Sequence, residues 1–228
     1  MITKENVQFL KKLAKNNNRD WFTENKSNYL VQHESTIEFA DEVLELLKTH
    51  DEIDNPTGKK SLMRIYRDVR FSKDKSPYKT NWSGYYKRSS AERRGGYYFH
   101  IAPGDSYAGG GFWKPDSSDM KLIRDAIVSD ESGLRKILAA KNFKKYFGDL
   151  GLHGDKLVNV PRGYDKESSA GDLLRLKQFL IRANFTEEDV LSKDFAVKVD
   201  EVFVALRPFF DWMSYTLTHD GNGEPLVK

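Results

Sequence analysis

The sequence predicts an α+β fold in which N- and C-terminal helices pack on a central, mainly antiparallel sheet. Apolar residues recur at helical spacing near both ends of the chain, whereas the middle alternates polar and apolar residues in short runs separated by glycine-bearing turns. Helices and strands do not alternate along the chain, as they would in a doubly wound α/β protein. We therefore expect residues 1–228 to form a single α+β domain.

The first 50 residues are predicted to be helical. Thr3 is a typical N-cap residue for a helix that extends to about Lys15. A second helical region is expected from about Asp20 to about Thr49, because its later half carries an apolar stripe at helical spacing. An Asn-Pro-Thr-Gly turn follows this region.

Four strands are predicted in the middle of the chain: Ser61–Arg67, Trp82–Lys87, Gly96–Ala102 and Ser106–Trp113. Between the first two, the stretch Phe71–Asn81 is too polar and too rich in lysine for a core element. We therefore interpret it as a loop. Tight turns between the later strands indicate an antiparallel meander.

The last third returns to helices, with one more strand at Gln178–Phe185. A long helix is predicted from about Asp194, and Phe203 and Phe210 lie on its apolar stripe. We expect both rings to be buried against the sheet. Pro208 is expected to kink this helix or divide it in two.

Composition excludes several classes of protein. The chain contains no cysteine, which rules out disulfides, cysteine-ligated zinc, iron–sulfur clusters and cysteine nucleophiles. Lysine and glutamate occupy the N-terminal stretch where a signal peptide has its apolar core, and no apolar run approaches the length of a membrane span. These features predict a cytoplasmic protein without a membrane partner.

Positive charge is concentrated in one segment. Residues 59–94 contain twelve basic and three acidic side chains, a net charge of +9, whereas the rest of the chain carries −6. Such asymmetry is typical of proteins that bind an anionic partner. The alternative is that these cations pair with acidic groups of the same protein and are structural.

The basic loop within this segment is the strongest candidate for a site. Arginine offers a rigid fork for phosphate or carboxylate, and lysine adds a mobile point charge. We therefore predict a pocket for an anionic small molecule, whose ligand-binding residues are Arg64, Arg67, Arg70, Lys73, Lys75, Tyr78, Lys79 and His100. The alternative is a solvated, lysine-rich loop in which Arg67 and Arg70 pair with Asp68, Asp74 or an acidic residue of a helix. The pocket would suit an enzyme that acts on a phosphorylated or acidic small molecule, although the sequence identifies no catalytic residue.

Two other functions compete with this prediction. The whole basic segment 59–94, interleaved with aromatic residues, could bind single-stranded nucleic acid by stacking and phosphate contacts. In that case Lys87, Arg88, Arg93 and Arg94 would contribute, although we expect them to be solvent-exposed turn residues. Alternatively, the basic face could serve as a scaffold for an acidic protein.

Other motifs carry weaker signals. The run Gly109-Gly110-Gly111 could admit a ligand close to the backbone, but a bulge or tight packing against Trp113 is favoured. The histidines are dispersed and His-Glu-x-x-His is absent, so no metal site is predicted. No cofactor and no oligomeric state follow from the sequence.

Several stretches resemble a microbial family known as domain of unknown function 2461. They are Arg19–Phe22, Arg67–Asn81, Gly96–Gly104, Gly109–Pro115, Pro161–Asp165 and Asp172–Lys177. The resemblance covers nearly the whole chain in the same order. It implies a compact intracellular protein, and it supplies no reaction, cofactor or catalytic residue. Members of that family often have an acidic residue at the position of Ala102 and His-Pro at Ser168-Ser169, so this chain lacks any chemistry that those groups perform.

Overall fold

The computed structural model describes residues 1–148, 152–153, 155–220 and 222–226. The helices are α1 (Lys4–Lys15), α2 (Arg19–Glu24), α3 (Lys26–Lys48), α4 (Gly58–Ser61), α5 (Ser117–Ser129), α6 (Glu131–Ala139), α7 (Lys141–Phe147), α8 (Gly171–Leu174), α9 (Glu187–Val190) and α10 (Phe195–Thr218). The strands are β1 (Trp82–Lys87), β2 (Gly96–Ile101), β3 (Ser106–Phe112), β4 (Leu152–His153) and β5 (Phe179–Phe185). Among these described helices, none is long and apolar enough to cross a membrane.

The strands form a sheet in the order β1-β2-β3-β5-β4. Residues 88–95 and 102–105 join the first three strands, and connections this short require antiparallel neighbours. Strand β4 also pairs antiparallel with β5, with Leu152 opposite Ile181. The predicted α+β class and antiparallel sheet are confirmed, and four of the predicted strands agree with β1, β2, β3 and β5 to within one residue.

The predicted strand at Ser61–Arg67 is wrong. Its first residue ends α4, and the rest makes only two isolated bridges, Leu62 with Gly84 and Tyr66 with Tyr78. From one bridge to the other, the first segment advances by four residues, from Leu62 to Tyr66, whereas the opposing segment advances by six, from Tyr78 to Gly84. The two extra residues interrupt the ladder as a bulge, which prevents a continuous strand.

The structure refines two of the helical predictions. The helical region expected from about Asp20 to about Thr49 consists of two helices, because Asn25 ends α2 and precedes α3. Of the two effects expected of Pro208, division does not occur, and α10 continues through this residue. Proline cannot donate to the carbonyl four residues earlier, but Pro208 and Val204 both lie on the exposed side of the helix, where water can satisfy that carbonyl.

Two compact units can be described separately. Unit 1 comprises Met1–Tyr86, Tyr98–Ala108 and Asn184–Glu201, and unit 2 comprises Lys87–Tyr97, Gly109–Ala183 and Val202–Lys228. Within unit 1, the ring of Phe39 on α3 meets Phe99 on β2 edge-on at 5.3 Å. Within unit 2, Phe203 and Phe210 on α10 each lie 4.9 Å from the ring of Tyr97 on β2, and both are fully buried as predicted. The terminal helices therefore pack on the sheet.

The glycine run in β3 is explained by close packing of the backbone. A Cβ atom on Gly109 would lie 2.0 Å from the carbonyl oxygen of Ile181, and one on Gly111 would lie 2.0 Å from that of Phe179. The absence of side chains at Gly109 and Gly111 therefore allows the backbone of β5 to approach closely. Trp113, the packing partner expected from the sequence, is instead 67% exposed.

Candidate functional site

The bulge between Tyr78 and Gly84 contributes to a pocket in unit 1. Bulges often redirect side chains beside functional sites, and here the segment between the two bridges supplies three of the pocket's lining residues, Lys79, Asn81 and Ser83. The cavity has a volume of about 370 Å³. We call it the Lys79 pocket; its lining residues are Met63, Arg67, Asp68, Lys79, Asn81, Ser83 and Tyr98.

Lys79 is the unpaired cation of this pocket. Its side chain is half-buried, and within the described part of the chain its ammonium group has no hydrogen-bond or ion-pair partner. Burial lowers the pKa of Lys79, and the positive charge of Arg64 lowers it further. A bound anion would relieve both effects by supplying the missing negative charge.

Arg67 joins the pocket to the basic loop. Its Nη1 donates to Asp74 Oδ2 at 2.5 Å and to the carbonyl oxygen of Ser76 at 3.1 Å, and its Nη2 lies 3.4 Å from Ser72 Oγ. Hydrogen bonds from Ser76 and Arg67 lower the pKa of Asp74 to about 2. Arg67 therefore holds the loop in shape and is also available at the pocket wall.

The carboxylate in the pocket wall is already engaged. Asp68 accepts hydrogen bonds from Nε and Nη2 of Arg70, the latter at 2.7 Å. These bonds lower the pKa of Asp68, which keeps the carboxylate ionised. The charge that Asp68 brings to the pocket is offset by Arg70, so Lys79 and Arg67 determine the preference for an anion.

Uncharged polar residues also line the pocket. The Tyr98 hydroxyl lies 3.2 Å from His100 Nδ1 and also bonds to Ser83 and Tyr107. The ring of His100 stacks on Tyr107, with centroids 4.8 Å apart. His100 therefore lies behind the lining residue Tyr98 and is connected to the pocket by its contact with the Tyr98 hydroxyl. Asn81 Oδ1 is buried and accepts no hydrogen bond from the described residues.

The structure brings together only part of the predicted set. Arg67 and Lys79 line the pocket, and the charge of Arg64 acts on Lys79. Tyr78 instead belongs to the core, where its ring stacks on Phe22 at 4.0 Å.

The other predicted cations of the loop lie outside the pocket. The Arg70 side chain is 76% exposed and is paired with Asp68. Lys75 donates to the carbonyl oxygen of Val69, and Lys73 is exposed. The alternative in which Arg67 and Arg70 pair with neighbouring acids is therefore also realised, and Arg67 has both roles.

The flanking cations agree only in part with the expected solvent-exposed turn. Lys87 is exposed, Arg93 and Arg94 are partly exposed, and Arg88 is buried. Arg94 also donates to Asp119 and, through its backbone N–H, to Ser214. The aromatic residues proposed for stacking on nucleic acid are mostly core residues: Trp82, Tyr86, Tyr97 and Phe99 are all buried. A large part of segment 59–94 therefore has a structural role.

Sequence reasoning missed several residues that shape the pocket. Asn81 and Ser83 reach it because of the bulge, and Tyr98 reaches it from β2. The signal for Tyr98 was its place two residues before His100 in a strand, since alternate residues share one face of a sheet. No sequence pattern marked the bulge. Among the described residues, no group of three or more His, Asp or Glu could hold a metal ion.

Comparison with known families assigns the chain. The model of a family described as "Conserved hypothetical protein (DUF2461)" matches residues 5–212. The chain belongs to this family. The DUF2461 match includes the whole Lys79 pocket, and it confirms the resemblance noted from the sequence. No curated protein and no solved structure matches the chain.

Proposed function

We propose that this DUF2461 protein binds a small phosphorylated or carboxylated molecule in the Lys79 pocket. The observation that carries the proposal is the half-buried, unpaired ammonium group of Lys79 beside Arg67. Leaving a cation partly desolvated without a partner costs free energy, and a bound anion would recover that cost. We also expect residues 1–228 to form a single domain. We expect the protein to be located in the cytoplasm.

The polar wall favours a ligand that has a hydroxyl group as well as an anionic group. The hydroxyl-bearing side chains of Ser83 and Tyr98 line the pocket. A cavity of about 370 Å³ lies at the lower end of the range of small-molecule sites. Hydroxy acids and small sugar phosphates have the required groups and size.

Binding is better supported than catalysis. The lining carboxylate, Asp68, is held by Arg70 and keeps a lowered pKa, which makes it a weak general base. His100 contacts Tyr98 and is separated from the ligand by that side chain. If the protein is an enzyme, the pair Tyr98–His100 is the group through which a proton would move.

The proposal is tested by titrating the protein with inorganic phosphate and, separately, with lactate, a hydroxy acid with one carboxylate, using calorimetry at fixed ionic strength. We expect Lys79→Met and Arg67→Gln each to weaken binding by about tenfold or more, because each removes a charged donor. The matched control is Lys73→Gln, which removes one positive charge from an exposed side chain of the same loop outside the pocket. Equal losses in Lys73→Gln and Lys79→Met would contradict a defined pocket and favour diffuse attraction by the basic segment.

A further inference from the structure

A larger cavity lies in unit 2. It has a volume of about 1080 Å³ and is formed mainly by the segment 158–175, with one side chain from α6. We call it the Arg175 pocket. Its lining residues are Arg135, Val158, Asn159, Val160, Arg162, Lys166, Glu167, Ser168, Ser169, Gly171, Asp172 and Arg175.

The segment that forms this cavity is closed at its base. Lys156 and Leu176 form an antiparallel bridge, and the N–H of Leu157 donates to the carbonyl oxygen of Arg175 at 2.7 Å. Ala170, Leu173 and Leu174 are buried, so the second half of the loop is anchored in the core of unit 2. The loop is therefore a packed structure with its own internal contacts.

Two helices brace the same loop. From α6, Arg135 donates to the carbonyl oxygen of Ser169 and to Asp172 Oδ1, both at 2.8 Å, while Glu131 accepts from Ser169 Oγ at 2.6 Å. From α5, Arg124 donates to the carbonyl oxygen of Leu174 at 3.0 Å. A ligand would therefore meet a wall that is already ordered, which reduces the entropy lost on binding.

The cations of this wall differ in how far they are engaged. The guanidinium of Arg135 is already hydrogen-bonded to residues of the loop and of α6, and its charge is balanced by Glu131 and Asp172. Within the described residues, the side chains of Arg162 and Lys166 have no hydrogen-bond or ion-pair partner, and Arg175 uses only Nε, which donates to the carbonyl oxygen of Gly171. Three cations thus retain donors that can reach a ligand.

The balance of charge in the cavity indicates the class of ligand. The side chain of Glu167 is the acidic group in this wall that no described cation neutralises, so the unengaged groups leave an excess of positive charge. Val158 is 87% exposed at the same wall and offers an apolar contact. Arginines separated around a cavity suit a ligand with more than one anionic group.

We propose that the Arg175 pocket is a second binding site, which takes an organic molecule bearing at least two phosphate or carboxylate groups. Arg162, Lys166 and Arg175 bind the anionic groups, and Val158 and Val160 contact the organic part. This site is made of unit 2 residues only and does not depend on the Lys79 pocket.

The experiment uses the full chain with the substitution Lys79→Met, so that the first pocket cannot account for binding. Inorganic pyrophosphate and citrate are titrated by calorimetry, with orthophosphate as the single-group reference. We expect pyrophosphate or citrate to bind at least tenfold more tightly than orthophosphate. Tighter binding of pyrophosphate than of citrate assigns the site to phosphate groups, and the reverse assigns it to carboxylates.

Variants locate the binding. Adding Arg162→Gln and Arg175→Gln should weaken pyrophosphate binding by at least tenfold, and Lys166→Gln alone, an exposed change that the fold tolerates, should weaken it severalfold. The control pair, Lys136→Gln with Lys141→Gln, removes two exposed charges elsewhere in unit 2 and should change little. Equal losses in the control pair, or failure of both pyrophosphate and citrate to bind more tightly than orthophosphate, would overturn the proposal. Either result leaves the phosphate and lactate titration of the Lys79 pocket unaffected.

Discussion

Arg88 Nη2 lies 3.0 Å from Asp211 Oδ1, and the arginine side chain is 1% exposed. The same guanidinium donates to Ser214 Oγ at 3.1 Å and lies 5.4 Å from the ring centroid of Phe210. A cation so enclosed attaches the turn after β1 to α10 within unit 2. At least one cation of the basic segment 59–94 therefore stabilises the fold and is not available to a ligand.

Replacing Arg88 should destabilise the protein. Arg88→Ala leaves a cavity beside Phe210 and removes the donor to Ser214, so we expect a loss of about 3–5 kcal/mol in the free energy of unfolding, measured in urea. Asp211→Asn should cost less, about 1 kcal/mol, because this side chain is 54% exposed and the amide oxygen can still accept. The exposed Lys141→Ala serves as the control, with a change within about 0.5 kcal/mol. A loss that small in Arg88→Ala would show that the buried contacts are not what stabilises the turn.

Adjacent positions on α10 give a second test of packing. Phe203 is fully buried against Tyr97, whereas its neighbour Val204 is 43% exposed. Phe203→Ala should lower the free energy of unfolding by about 3–5 kcal/mol, and Val204→Ala should change it by about 0.5 kcal/mol or less. Similar melting temperatures for the two variants would contradict the orientation of this helix.

Asp74 competes with a bound anion for Arg67. Because the pKa of Asp74 is about 2, the carboxylate stays ionised throughout the neutral range. Asp74→Asn keeps an oxygen that can accept from Ser76 but removes the charge opposite Arg67. We expect phosphate to bind about two- to fivefold more tightly to this variant. The gain is small because an exposed ion pair such as Arg67–Asp74 contributes only a modest free energy, which the bound anion no longer has to replace. Weaker binding in this variant would mean that the loop needs the ion pair in order to form the pocket.

Anion binding should depend on pH through Lys79. Its folded pKa lies below the usual lysine value, and only the protonated form attracts an anion. Binding should therefore be strongest below that lowered pKa and should decline as the pH rises through it, before an ordinary lysine titrates. Sulfate is the suitable probe because its charge is constant over this range.

Lys79→Arg separates this titration from other alkaline effects. Arginine stays charged to much higher pH, so the variant should retain sulfate binding where the parent has lost it. An identical alkaline decline in both proteins would assign the effect to another group.

The sequence predicts the elements that have long, regular patterns. The stripe of α10 and the alternation in β1, β2, β3 and β5 each extend over enough residues to define one buried face, and these predictions are confirmed. The segment 61–67 shows the limit of such patterns. Ile65 is buried and its neighbour Tyr66 is exposed, as in a strand, but regular pairing depends on the opposing segment, which has two residues too many.

The candidate site was predictable only in part for a related reason. Arg67 and Lys79 were identified because cations in a loop suit anions, whereas Arg70 and Lys75 have the same chemistry and differ only in their partners. Pairing of Arg70 with Asp68 is a local contact that the sequence allows but does not select over pairing with Asp74. Tyr78 was assigned to the site because it carries a hydroxyl, yet its stacking on Phe22 reflects a tertiary contact across 56 residues of sequence.

The bulge between Tyr78 and Gly84 can be removed without removing Lys79. Deleting Thr80 and Asn81 would equalise the two segments between the bridges and allow the ladder to run on without interruption. Lys79 would remain, because its N–H donates to the carbonyl oxygen of Ile65, whereas Asn81 would be lost from the lining. We therefore expect the shortened protein to keep its ladder and its cation but to have a pocket of different shape.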